Sequence, residues 1–235
     1  MDLITTGYGW EFIFRYIHFL SGITWIGVLY YFNFIQTPFF GTELGGEAKS
    51  AMTRGLVPNA LWWFRWGAMF TFLTGWLLVL MYLGMEGLNL GDGLITRILT
   101  GGAMGTVMWF NVWFVIWPAQ QQVIKSAEQV AAGGEAIPGT PDRAARAGLA
   151  SRTNTMFSIP MLFFMGAARH LDTFNNGTND IVYWLVALAI ILLLELNCLI
   201  GTGQGRQKFL GSVSGTIHAG VIATVVLYVV GVALN

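Results

Sequence analysis

The sequence predicts an all-α integral membrane bundle of about six transmembrane helices, and three observations carry that expectation. Of 235 residues, 55% are hydrophobic and only 10% are charged, whereas soluble domains carry about 25% charged residues. The mean hydropathy is +0.61. The apolar residues also come in runs of about 18 or more, the length a helix needs to cross a hydrocarbon core about 30 Å thick.

Taken in order, the runs fall at about residues 11–37, 61–84, 97–117, 151–170, 181–203 and 215–234. The first is expected to stay in place as a span, because Met1-Asp2-Leu3-Ile4 lacks the basic start and small-residue cleavage site of a signal peptide. The second and third are continuous apolar stretches. The fourth is short and contains Pro160, which membrane helices tolerate when neighbours satisfy the freed carbonyl. The fifth and sixth are the most apolar. No internal repeat is evident, and residues 1–235 read as a single transmembrane domain.

Between the third and fourth runs lies the one long hydrophilic segment, about residues 119–150, with Gly133-Gly134 and Pro138-Gly139-Thr140-Pro141 as turn signals. Its flanks are expected to extend the neighbouring helices beyond the bilayer. Basic residues set the orientation. Lys49, Arg54, Arg65, Lys125, Arg143, Arg146, Arg152, Arg206 and Lys208 fall in the first, third and fifth loops, against Arg15, Arg97 and Arg169 on the other side. The hydrophilic segment is therefore expected in the cytoplasm and both termini in the periplasm of a bacterial inner membrane, with Trp10, Trp62, Trp63 and Trp117 at the lipid interfaces.

Lipids are the expected surroundings. A net charge of zero gives no signal for nucleic acid. One cysteine, Cys198, excludes an internal disulfide, a thiolate zinc site and covalent haem attachment through Cys-x-x-Cys-His within this chain.

An ionisable side chain inside a span is costly and points to a function. His18 is such a residue, in the pattern Arg15-x-x-His18-x-x-x-Gly22-x-x-Trp25. At about 100° per residue these four share one stripe of a helix, as a buried planar cofactor would require. His170, at the same side of the membrane, is expected to pair with His18 on the iron of a b-type haem. Arg15 and Arg169 would then serve the propionates or an anionic substrate. The structural alternative is a histidine bonded to a neighbouring carbonyl, with Gly22 and Gly27 as small-residue contacts and Trp25 as packing.

Glu195 is the second such residue, with Cys198 and Thr202 on its helix face. Its expected companion is His218, also toward the cytoplasmic half, as a proton path or quinone-headgroup site or as a structural inter-helix pair. Asn33, Asn111 and Asn197 are expected to join helices. Gly201-x-Gly203-x-Gly205 follows a helix rather than a strand, so it is not a dinucleotide-binding loop. Asn176-Gly177-Thr178 reads first as a turn.

Three stretches resemble the membrane domain of the bacterial membrane-bound urate oxidase (urate hydroxylase) family. They are Arg15-Tyr16-Ile17-His18 through Gly22-x-x-Trp25-Ile26-Gly27 to Tyr31-Phe32; Trp63-Phe64-Arg65-Trp66 with Thr74-Gly75; and Asn154-Thr155-x-x-Ser158-x-Pro160-x-Leu162-Phe163-x-Met165, ending at His170. The resemblance implies a membrane oxidoreductase that oxidises a small substrate, typically urate, and passes electrons to a periplasmic c-type cytochrome. The sequence departs from that pattern in closing after the last span without the C-terminal cytochrome c domain, in having Gly67 at an often acidic position, and in a Met165–His170 interval one residue longer. A cytochrome is therefore expected as a separate partner. The His-x-x-x-Gly-x-x-Trp helix is also similar to haem-binding helices of membrane-bound protoporphyrinogen oxidases and copper-resistance D-type proteins.

The leading expectation is thus a haem-containing relay between a small substrate or quinol and a cytochrome c. The alternatives are a non-catalytic accessory subunit of a larger respiratory or photosynthetic complex and, last, a solute transporter using Glu195 and His218.

Overall fold

The computed structural model describes residues 2–171, 180–201, 203 and 205–234. The chain is 89% helical, and the described residues contain no strand. After a short helical turn, Asp2–Thr5, six long rods follow: α1 (Gly7–Phe40), α2 (Glu43–Gly84), α3 (Gly93–Ala131), α4 (Thr140–His170), α5 (Asp180–Leu199) and α6 (Val213–Leu234). All but α4 are long and apolar enough to cross a membrane. Thr202 and the Asn176-Gly177-Thr178 turn lie outside the described residues.

The composition of α4 follows from its position. Residues 153–158 are all buried, which a helix achieves only when neighbours cover its whole circumference. Helices α1, α3, α5 and α6 all pack on it. A helix shielded from lipid by protein has no need of an apolar surface, so Thr153, Asn154, Thr155 and Ser158 sit fully buried at its centre.

Helix α2 begins at Glu43 rather than near residue 61, because Thr42 caps it by accepting from the Gly45 N–H at 3.1 Å; at 42 residues it is about 63 Å long. Arg65, grouped by sequence with the loop cations, therefore lies within a helix. Its guanidinium sits 3.9 Å from the Trp117 ring centre and 5.2 Å from that of Trp113, a cation–π contact that joins α2 to α3. Neighbouring Phe64 meets Phe32 edge-on at 5.7 Å, and Trp66 meets Trp113 at 5.6 Å. The Trp63-Phe64-Arg65-Trp66 stretch thus ties together the first three helices.

Two segments widen into π-helix, Tyr31–Gln36 in α1 and Asn111–Ile116 in α3. Each precedes a proline, Pro38 and Pro118, whose missing N–H leaves an upstream carbonyl without its usual partner. Each also aims an asparagine at α4: Asn33 donates to Ser151 Oγ at 2.8 Å, and Asn111 to Asn154 Oδ1 at 2.9 Å. Tyr30 and Ser158 share a further hydrogen bond of 2.9 Å. These contacts lock α1 and α3 onto α4 at mid-length. Asn197, expected to join helices, instead accepts from Gln207 at 2.8 Å, within the short helical connection Gly205–Gly211.

Helices α1 and α2 cross closely at Gly67. A Cβ there would stand 3.1 Å from the Trp25 nitrogen and 3.2 Å from the Ser21 carbonyl oxygen. A side chain at this position would require the α1 backbone to give by a few tenths of an ångström, so glycine sets how closely the two helices approach.

Candidate functional site

A cavity of about 460 Å3 opens between the α1–α2 pair and the α3–α4 pair, within the range of small-molecule and cofactor sites. It lies between the mid-length contact of Tyr30 with Ser158 and the end of the bundle where Arg15 and Arg169 meet. Its wall on α1 is formed by Arg15, His18, Gly22 and Trp25, the stripe singled out by spacing, together with Ile26 and Gly27. On α2 the wall follows one helical face: Thr71, Phe72, Gly75, Trp76, Leu78, Val79 and Tyr82. Gly102 and Gly105 of α3 and Met161, Met165 and Arg169 of α4 complete it.

His18 is held by α2. Its Nδ1 lies 2.9 Å from the Thr71 carbonyl oxygen and 3.2 Å from Thr74 Oγ1. The carbonyl can only accept, so Nδ1 carries the proton and donates, and Nε2 keeps its lone pair. That second nitrogen makes no hydrogen bond among the described residues. The ring lies against Gly75, where a Cβ would come within 3.0 Å of the imidazole Cε1; glycine leaves the space the ring occupies. A histidine whose one nitrogen donates to a carbonyl and whose other is available is the arrangement that orients metal-binding imidazoles.

At the open end, Tyr82 gathers two cations. Its hydroxyl accepts from Arg15 at 2.5 Å and from Arg169 at 3.2 Å, and both guanidiniums lie near its ring. Arg15 is also paired with Glu11 one turn earlier. Arg97 is buried nearby and donates to the Ala168 carbonyl at 3.3 Å. Arg15 and Arg169 therefore converge at one end of the cavity, where an anionic group would be favoured, and Arg97 lies at the same end of the bundle without lining it. The Trp25 Nε1 is buried with no partner, a donor available to an acceptor in the cavity wall.

Other expected site residues stand elsewhere. His170 is exposed at the end of α4 and is not among the residues that line the cavity, whereas its neighbour Arg169 is. The Glu195–His218 pairing is corrected as well. His218 is exposed and bonds its own helix, through the Ser214 carbonyl oxygen at 2.7 Å and Ser214 Oγ at 3.2 Å. Glu195, 5% exposed, accepts from Asn111 at 3.1 Å. Asn111 also donates to Asn154, whose own amide donates to the Met108 carbonyl at 2.9 Å. Because α4 is central, Glu195 faces the α3–α4 junction rather than α6.

Sequence reasoning missed Tyr82, Phe72, Met165 and the Asn111–Asn154–Glu195 network. The α2 face was detectable, since residues 71, 75, 78 and 82 recur at helical spacing. The network was not, because it joins three helices.

The family model described as urate oxidase N-terminal matches residues 93–228, more than half of the chain. The chain belongs to the urate oxidase N-terminal family. The match runs from the start of α3 into α6, so ten of the 25 residues that line the cavity, including Met161, Met165 and Arg169, lie inside the matched stretch. The His18 wall lies on α1 and α2, before the match begins. No curated protein and no solved structure matches the chain.

Proposed function

We propose that this urate oxidase-family protein is a membrane-embedded redox protein of the bacterial inner membrane. It holds a b-type haem in the His18 cavity and relays electrons between a small substrate or quinol and a c-type cytochrome. The observation that carries this reading is the state of His18. Its Nδ1 is committed to the Thr71 carbonyl, so the ring lining the cavity presents a basic Nε2.

The residues present fit a haem. Nε2 of His18 is a suitable axial donor for iron. Gly102 lines the wall with nothing within 4 Å of where its Cβ would stand, giving a flat macrocycle room against α3. Phe72, Trp25 and Trp76 supply apolar and aromatic surface, while Arg15 and Arg169 offer charge-assisted hydrogen bonds to carboxylates. A haem, when bound, supplies reversible one-electron chemistry at iron. The chain contributes the orientation of the imidazole through Thr71 and Thr74, the exclusion of water by the apolar wall, and anchoring at the arginine end. Tyr82 keeps the two guanidiniums together, ready to neutralise buried acid groups.

The test is an absorption spectrum of the protein purified in detergent, with pyridine haemochrome quantification. A Soret band near one haem per chain is expected, and His18→Ala should abolish it while helical content by circular dichroism is unchanged. A colourless wild-type protein with full helicity would overturn the reading.

A further inference from the structure

We infer that a second cavity, at the far end of the bundle from Arg15 and Arg169, binds the phosphate group of a membrane phospholipid. The cavity holds about 330 Å3 and lies where α1, α4 and the start of α6 meet, at the small end of the range for ligand sites. Nothing in this inference depends on what fills the His18 cavity.

Among the described residues, Arg152 is the one charged side chain that lines this cavity. Its Nε is buried with no partner, and no hydrogen bond or ion pair reaches its guanidinium from the described residues. The other arginines that are not exposed all have protein partners. Arg15 has Glu11 and Tyr82, Arg65 the rings of Trp113 and Trp117, Arg97 the Ala168 carbonyl, and Arg146 the carbonyls of Cys198 and Leu199. Taking a cation out of water without pairing it is costly. An ionisable group among packed helices that lacks a protein partner therefore points to a ligand.

The guanidinium folds back along α4 over Gly148. Its two terminal nitrogens lie 3.7 and 4.0 Å from where that glycine would carry a Cβ. This direction leads toward the end of the bundle where α1 turns into α2 and α6 begins. Helix α6 is apolar throughout and has 22 residues, about 33 Å, enough to cross the hydrocarbon core and no more. Its first residues, which form part of the cavity wall, therefore stand at the level of the lipid headgroups.

The remaining wall suits a phosphate joined to a glycerol ester. Ser212 caps α6 by accepting from the Gly215 N–H at 3.0 Å, and Ser212 and Val213 both line the cavity. The positive end of the α6 dipole thus adds to the charge of Arg152. Phe34, Pro38 and Val213 set apolar surface beside these polar groups, as the glycerol and the first methylenes of the acyl chains require. No carboxylate lines the wall to repel an anion. Basic pockets between membrane helices at the headgroup level are a recognised way to hold phospholipid headgroups.

The experiment uses the intact chain, delipidated in detergent, and reads native mass spectra and thermal unfolding as dioctanoyl phosphatidylglycerol is added. One tightly held lipid per chain and a rise in melting temperature are expected. Arg152→Gln should weaken that binding by at least about tenfold, the loss of one charge-assisted hydrogen bond. Lipid-free Arg152→Gln should melt no lower than wild type, because the guanidinium has no protein partner to lose. Should that variant fail to fold, Arg152→Lys, which keeps the charge but not the planar fork, should show the same loss in smaller measure. The double variant Arg206→Gln with Lys208→Gln removes two exposed cations outside the cavity and should bind lipid as wild type does. Inorganic phosphate alone should give no comparable rise; a full rise that Arg152→Gln abolishes would make the ligand a soluble phosphate and overturn the lipid assignment. Lipid binding unchanged in Arg152→Gln, or lost equally in the double variant, overturns the site.

Discussion

His18 and Glu195 are both ionisable groups within apolar helices, yet their surroundings differ in the space left around them. His18 is half-buried and lines a cavity of about 460 Å3, with only its Nδ1 engaged. Glu195 is 5% exposed and packed at the junction of α3, α4 and α5, with Asn111 and Asn154 as its network. The first arrangement sets a ring with one engaged nitrogen beside a cavity. The second commits one carboxylate oxygen to joining helices and leaves the other, Oε1, buried without a partner and without a cavity beside it. A costly residue in a span can thus equip a site or tie helices together, and the free volume beside it distinguishes the two.

The largest test of this contrast is haem content. At position 75 a Cβ would already come within 3.0 Å of the His18 ring, so Gly75→Leu drives side-chain atoms into the space the imidazole occupies. It is expected to eliminate the haem measured by pyridine haemochrome. Glu195→Gln should leave haem content at the wild-type level. If the glutamine variant is equally colourless, the two regions are one functional unit and the contrast fails.

Stability should respond in the opposite order. Asn111→Ala removes the donor to both Glu195 and Asn154 at a fully buried position. Leaving a buried hydrogen-bonding group unsatisfied typically costs about 1–3 kcal/mol, so thermal unfolding in detergent should shift downward. Glu195→Gln, which keeps a hydrogen-bonding side chain of the same shape, should shift it far less. A melting temperature unchanged by Asn111→Ala would remove the structural role given to the network.

A smaller effect is expected at the mouth of the cavity. Arg169→Gln removes one of two cations on Tyr82 but leaves Arg15, so haem should be retained with weaker affinity, by about tenfold for the loss of one charge-assisted hydrogen bond. Haem-transfer kinetics to an apo-acceptor protein would measure it. Equal retention in wild type and variant would place the anchoring elsewhere.

The smallest effects belong to the two exposed histidines. His170→Ala and His218→Ala should alter neither the Soret band nor the melting temperature, because one lies outside the cavity and the other bonds only Ser214. A spectral change in His170→Ala would make it an iron ligand.

Much of this organisation was readable in one dimension. Composition and run length determine a helical membrane protein. The 100° period places Arg15, His18, Gly22 and Trp25 on one stripe, and all four line the cavity. Counting cations by loop groups Arg15, Arg97 and Arg169 at one end of the bundle, where all three lie. Such inferences concern a single helix at a time, for which spacing alone supplies both depth and facing direction.

Partners across helices were decided only in the folded bundle. The acceptor for His18 lies 53 residues away in sequence, Glu195 chooses Asn111 over His218, and Met165 rather than His170 lines the cavity. These outcomes depend on how far each helix is rotated and how closely it approaches its neighbour. Backbone contact at Gly67, 3.1 Å from Trp25 to a would-be Cβ, and the burial of residues 153–158 of α4 set those quantities. Helical periodicity determines which residues share a face; steric packing between rods determines what that face meets.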